Sequence, residues 1–141
     1  MRVLILAVLG AILAAAPATA DPGPSAMPFA PPFVDHVAWA QWSTVSGLSS
    51  LRVYPTASGR AASKRLGSPS PEADEAWAEV LALAPRADTP GMRSQFQCHW
   101  DFAETAEPGK TSWNLEPWRP VVDDAAMVAA GCNPGGAGEP F

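Results

Sequence analysis

Beyond residue 20 this sequence has no isoleucine, one tyrosine, two lysines, two histidines and two cysteines. Six Leu, eight Val and five Phe are 19 large apolar residues in 121, about 16%. That lies under the level of roughly 20% at which a strongly charged chain stays unfolded. The charge is modest, however: 8 basic against 14 acidic residues give −6 over the same stretch. Two cysteines exclude a disulfide-dense scaffold. Without a C-x-x-C pair or clustered histidines there is no zinc frame, so neither a metal nor another cofactor is expected. Sparse cations without interleaved aromatics argue against nucleic acid as a partner. The size excludes a multidomain enzyme or a large buried cofactor fold. What the chain does have is six tryptophans, all beyond residue 20. Each can bury about 150–250 Å², so the sequence predicts one small domain with a core built on tryptophan and at least four of the six buried.

The only long apolar run is Val3 to Ala16. With Met1 and Arg2 before it and Ala18-Thr19-Ala20 after it, it has the three parts of a secretory signal, with cleavage expected before Asp21. Fourteen apolar residues fall short of the roughly 20 that cross a bilayer, so no membrane span is expected in the mature form. No twin-arginine pair or cleavage-site cysteine is present, and a secreted or wall-associated product is expected. In an oxidising compartment Cys98 and Cys132 are expected to form one disulfide. Residues 1–20 are thus read as signal peptide, 21–33 as a proline-rich, extended and solvated linker, 34–136 as the domain and 137–141 as a tail.

Within the domain, Val34 to Trp42 is read as a strand, although Val34, Val37, Ala38 and Gln41 also fit a helical turn. Ser50 to Thr56 alternates, with Leu51 and Val53 on one face against Arg52 and Tyr54 on the other, and should pair with it as a hairpin. Ala57 to Ser70, which carries Arg60, Lys64 and Arg65, is read as a solvated loop. Ser70, Pro71 and the acids after them start a helix that stops at Pro85, with Trp77, Val80, Leu81 and Ala84 as its apolar stripe and a solvated acidic face. Thr89-Pro90 predicts a short helical turn to about Gln95. Phe96, Cys98, Trp100 and Phe102 then alternate with Gln97, His99 and Asp101, which predicts a strand. A turn at Glu107-Pro108-Gly109-Lys110 and alternation over Ser112 to Glu116 complete a second hairpin. A brief helix over Asp123 to Ala130 is expected to end at Gly131. The fold class is therefore α+β: a small antiparallel sheet of two hairpins, three to four strands, with one main helix packed on it and one disulfide.

The second hairpin would gather Gln97, His99, Asp101, Ser112, Asn114 and Glu116 on one polar face. One register opposes Asp101 to Glu116, like charges that repel. A register two residues shorter opposes His99 to Glu116 and Asp101 to Asn114. The latter would give a histidine oriented by a carboxylate, an acid/base arrangement, with Arg119 as anion stabiliser. The catalytic candidates are thus His99, Glu116 and Arg119, and the ligand-binding candidates Asn114 and Trp118, the tryptophan expected to be most exposed. No nucleophile elbow, H-E-x-x-H, phosphate loop or glycosidase acid pair is present.

Gly91-Met92-Arg93, Gln95, Cys98-His99, Lys110, Trp113-Asn114-Leu115-Glu116-Pro117-Trp118-Arg119-Pro120 and Cys132-Asn133-Pro134-Gly135 resemble a family of small exported proteins, mainly actinobacterial and catalogued only as a domain of unknown function. The resemblance covers Val34 to Gly136, supports the boundaries and the export, and brings no catalytic or ligand role. The leading functional expectation is a secreted, non-enzymatic protein binding a cell-envelope or extracellular ligand, either a glycan or a protein. The alternative is a small secreted hydrolase or toxin-like effector using His99 as acid/base with Glu116.

Overall fold

A computed structural model of the chain describes residues 15–17, 27–65 and 70–138. The expected signal segment, apart from residues 15–17, lies outside them, as do the expected cleavage site and residues 139–141 of the tail. The described elements run in the order β1 (Val34–Gln41), β2 (Ser49–Pro55), α1 (Ala57–Ser63), α2 (Pro71–Leu83), a 3-10 turn (Pro85–Ala87), α3 (Pro90–Ala106), β3 (Trp113–Leu115) and α4 (Asp124–Ala129). The three strands form one antiparallel sheet in the order β1-β2-β3. The fold is α+β: α1, α2 and α3 pack against the sheet, and α4 packs on α3.

The first hairpin forms as the alternation implies, with His36 opposite Tyr54, Ala38 opposite Arg52 and Ala40 opposite Ser50. Thr56, expected as the last strand residue, instead begins α1: its hydroxyl accepts from the Gly59 N–H at 2.9 Å. The stretch read as a solvated loop is thus partly a capped helix, which buries Gly59, Ala62 and Ser63. In α2, Ser70 caps the Ala73 N–H as expected and Pro71 occupies the first turn. Its acidic residues are not all solvated surface. Glu79 accepts the Phe33 and Val34 N–H groups at 2.8 and 2.7 Å, and Glu72 is buried.

Those bonds also revise the linker. Residues 21–26 lie outside the described residues, but 27–33 dock on the domain: Phe33 is fully buried and Met27 and Phe29 pack against the core. Prolines leave a segment extended without preventing it from burying its aromatic side chains.

The main departure is the second hairpin, which does not form. Phe96 to Phe102 lies inside α3, a 17-residue helix capped by Thr89, whose hydroxyl accepts the Met92 N–H at 3.2 Å. Met92, Gln95, Phe96, His99, Trp100 and Ala103 are buried along it, spaced by threes and fours. This 3.6-residue stripe coexists with the period-2 alternation, and the helix prevails because the cap and Pro90 start it while the segment contains no Val or Ile. Phe102, expected on the apolar face of a strand, is 45% exposed.

The core joins the inner face of the sheet (Leu51, Val53, Trp113, Leu115) to Phe33, Ala76, Trp77, Val80, Phe96 and Trp100 from the docked segment and the helices. Its aromatic rings meet edge-on or tilted, with Trp113 centred 6.1 Å from Trp100 and 6.2 Å from Phe96. Trp77, Trp100 and Trp113 are buried, whereas Trp39, Trp42 and Trp118 are half-buried. Three buried tryptophans is one fewer than the composition implied, and buried alanines such as Ala62 of α1 and Ala73 and Ala76 of α2 share the core with them. The expected disulfide is present, with Cys98 on α3 joined to Cys132 after α4. Among the described residues no helix is long and apolar enough to cross a membrane.

Candidate functional site

The sheet face away from the helices is polar and open. The strand register arranges it in rows across the strands. His36 lies beside Tyr54, and Ala38 beside Arg52 and Asn114. The same register carries Tyr54 toward Ser112 and Ser50 toward Glu116, and the Ser50 hydroxyl donates to Glu116 Oε1 at 2.7 Å. The expected parity of Ser112, Asn114 and Glu116 therefore stands, but their partner is β2 rather than residues 96–102. Short Ala38 and Ala40 side chains on the edge strand leave the middle of this face low. His36 stacks on Tyr54, their rings 4.0 Å apart and 11° from parallel. Ser112 Oγ donates to Asn114 Oδ1 at 2.8 Å, fixing the amide with its N–H groups as the available edge. Arg52, Tyr54, Glu107, Lys110, Thr111 and Ser112 line a cleft of about 430 Å³, within the range usual for small-ligand sites.

The row containing Glu116 is closed over. Glu116 is 1% exposed, accepts from Ser50 through one carboxylate oxygen and binds Arg119 Nε through the other at 2.8 Å. Gln95 reaches from α3 to the Glu116 backbone, accepting its N–H at 2.8 Å and donating to its carbonyl at 2.9 Å. Arg119 also donates to the carbonyls of Pro134, Gly136 and Ala137. Trp118 donates to the Ser49 carbonyl, carries the Arg119 guanidinium 4.5 Å from its ring centre and meets the Trp42 ring edge-on at 5.1 Å. Trp42 in turn donates to Ser50 Oγ at 2.9 Å. Trp118 is thus a half-buried wall of this closed end rather than a fully exposed ring.

His99 projects from α3, not from the sheet face. Its Nδ1–H donates to the Gln95 carbonyl one helical turn back, at 2.8 Å. It lines a separate cleft of about 200 Å³ with Lys110, Cys132 and Asn133. Burial pushes its pKa down to about 4, with Lys110 and Arg119 acting in the same direction and the Gln95 carbonyl and Glu116 opposing it. The anticipated pairing of His99 with Glu116 is replaced by two separate arrangements. A backbone carbonyl orients the imidazole, and the carboxylate is spent on Ser50 and Arg119. Gln97 and Asp101 form an i,i+4 hydrogen bond on the outside of α3, and burial raises the Asp101 pKa. Among the described residues no group of three His, Cys, Asp or Glu side chains is placed to hold a metal ion.

Residues 34–135 match the family described as "Protein of unknown function (DUF2599)". The chain belongs to this family. An uncharacterized protein of Mycobacterium tuberculosis is 57% identical over 144 residues, covering 99% of this chain and 94% of that protein. One from Mycobacterium bovis is similar to the same extent, and one from Mycobacterium leprae is 51% identical over 74% of this chain and 80% of its own length. No solved structure matches the chain.

In this DUF2599 chain the candidate residues thus separate into three places: Asn114 on the open face, Glu116, Arg119 and Trp118 at its closed end, and His99 in the cleft behind. Ser112, expected on the same face as Asn114, lies there with His36, Tyr54, Arg52 and Lys110, none of which the sequence placed in the candidate site. The signal for Arg52 and Tyr54 was present, since their parity opposes them to Leu51 and Val53. Which strand lay beside them depends on a pairing about sixty residues away, and alternation within a strand says nothing of that.

Proposed function

We propose that this DUF2599 protein is exported and acts as a non-enzymatic binding protein, taking a cell-envelope or extracellular ligand on the open face of its sheet. The observation that carries the reading is that face itself. Arg52 and Asn114 stand side by side on neighbouring strands, with the Tyr54–His36 stack in the next row and a 430 Å³ cleft beside them. Rigid strands present these groups, so a ligand meets them with little ordering cost. The signal-like residues 1–20 support export, and the disulfide and the lack of a spanning helix among the described residues are compatible with it.

The expected response in a tryptophan-fluorescence titration of the mature protein with envelope glycans and peptidoglycan fragments is a saturable change, because Trp42 and Trp118 border the face. It should weaken about tenfold in Asn114→Ala and persist in His99→Ala. Turnover of any of these ligands that disappears in His99→Ala would overturn the proposal in favour of a secreted hydrolase.

A further inference from the structure

An edge strand exposes a row of backbone groups that no neighbouring strand satisfies, and β1 is the longer of the two edges of this sheet. Trp42 donates its N–H to the Leu48 carbonyl at 2.8 Å, and the register then pairs Ala40 with Ser50, Ala38 with Arg52 and His36 with Tyr54. By the alternation of an antiparallel ladder, these residues turn their N–H and C=O groups toward β2, and Val37, Trp39 and Gln41 turn theirs outward. The outward groups have no hydrogen-bond partner among the described residues. Only the first end of the edge is closed. There the ladder is irregular between Val34 and His36, and Glu79 of α2 holds the Phe33 and Val34 N–H groups. Residues 37–41 read Val-Ala-Trp-Ala-Gln, without the lysine, proline or bulge that ordinarily blunts an edge. They are also open to solvent, half-buried at Val37, Trp39 and Ala40 and exposed at Ala38 and Gln41.

The side chains beside this edge select what can pair with it. The register places Val37 and Trp39 on the side of the sheet that carries Val53 and Leu51, and Ala38 and Ala40 on the open side. Arg86, on the 3-10 turn, stands 5.4 Å from the Trp39 ring centre and makes no ion pair with any described residue. Trp39, Gln41, Ser49, Arg86 and Pro117 line a cleft of about 280 Å³ that contains no acid. We infer that residues 37–41 take an extended segment of a partner protein as a fourth strand, with an acidic side chain opposite Trp39 bound by Arg86. A residue opposite Trp39 points to the same side of the sheet as the Trp39 ring. Its two neighbours lie beside Ala38 and Ala40, whose short side chains leave room for larger ones. Backbone bonding supplies the affinity and Arg86 the preference for an acid, the usual division of labour when a strand is added to a sheet edge. A second copy of β1 fits less well, because its one acid, Asp35, is already held by His36 Nδ1 at 2.6 Å. This edge is separate from the ligand surface of the open face and does not rest on it.

The test is amide chemical-shift titration of the mature, oxidised protein with three capped pentapeptides: Thr-Val-Glu-Val-Thr, the same peptide with Gln in place of Glu, and the Glu peptide N-methylated throughout. The Glu peptide is expected to shift the amides of residues 37–41 and of Arg86. It should bind about threefold to fivefold more tightly than the Gln peptide, a margin that shrinks as salt rises from about 50 to 500 mM. The N-methylated peptide should not bind. Arg86 is exposed, so Arg86→Gln should keep the fold and equalise the Glu and Gln peptides. Gln41→Pro removes one outward N–H and should weaken both. A melting curve checks each variant, and Arg86→Gln with the N-methylated peptide carries the test if Gln41→Pro does not fold. Equal binding of the Glu and Gln peptides to wild type overturns the acidic partner. An N-methylated peptide that binds as tightly as its parent overturns strand addition, as does the lack of any shift at residues 37–41 with about 5 mM Glu peptide. Shifts at residues 37–41 that change on dilution of the protein alone overturn a foreign partner in favour of a second copy.

Discussion

Glu116 joins four segments: β3, which ends one residue before it, Ser50 of β2, Gln95 of α3 and, through Arg119, the carbonyls of residues 134–137. Both charges are almost fully buried. Removing one leaves the other uncompensated, a loss of about 3–5 kcal/mol. Glu116→Gln and Arg119→Met are therefore each expected to lower the urea midpoint by that equivalent, with the double variant losing less than either single one. A loss under about 1 kcal/mol in Glu116→Gln would show the pair to be dispensable. His99 gives a second expectation. Its pKa in the folded state is lowered to about 4, whereas the unfolded chain takes up the proton near 6.5. Between those values the unfolded state binds more protons, so the contribution is complete above about pH 6.5 and is lost as pH falls toward 4, by about 3 kcal/mol in all. The stability difference between wild type and His99→Gln should shrink over that window, and a difference that is flat with pH would contradict the burial of the ring. The sequence named Glu116, Arg119 and His99 as residues of consequence. It paired His99 with Glu116 where the structure bonds them to the Gln95 carbonyl and to Ser50 and Arg119, because which groups meet depends on neighbours in space.

At the level of elements, caps, prolines and the first hairpin were legible, and the pairing of β3 with β2 was not. Ser70-Pro71 and Thr89-Pro90 both begin helices where expected, and the Ser50 to Thr56 alternation is a strand almost to the residue. The 96–102 segment failed as a strand because four alternating apolar residues also fit a helix, and the longer stripe from Met92 to Ala103 decides between the two. The junction of α1 with the docked linker gives a direct check. A Cβ built on Gly59 would sit 2.2 Å from the Phe33 carbonyl oxygen, a backbone atom that cannot swing aside. Gly59→Ala should cost about 1–3 kcal/mol despite the higher helix propensity of alanine. It should also expose Phe33, read as faster hydrogen exchange at the Phe33 and Val34 amides now held by Glu79. An unchanged midpoint would mean that the 27–33 segment is not seated on α1.

Across the whole molecule, a core short of Leu and without Ile is held by aromatic packing, a buried ion pair and one cross-link. The disulfide closes a loop of 34 residues between α3 and the segment after α4, and in a chain-entropy treatment contributes about 3–4 kcal/mol. Cys98→Ser/Cys132→Ser should melt well below wild type, whereas reduction that leaves the melting point unchanged would contradict this dependence. The residue pattern foretold the α+β class and the single bridge. It could not show the open face, because β3 meets β2 only after three α-helices and a 3-10 turn have intervened.

That face is the centre of the functional reading, and backbone amide chemical-shift mapping during titration with peptidoglycan fragments tests it most directly. Perturbations are expected at His36, Ala38, Arg52, Tyr54 and residues 110–114. Perturbations gathered instead around His99, Cys132 and Asn133, with the sheet face silent, would contradict it.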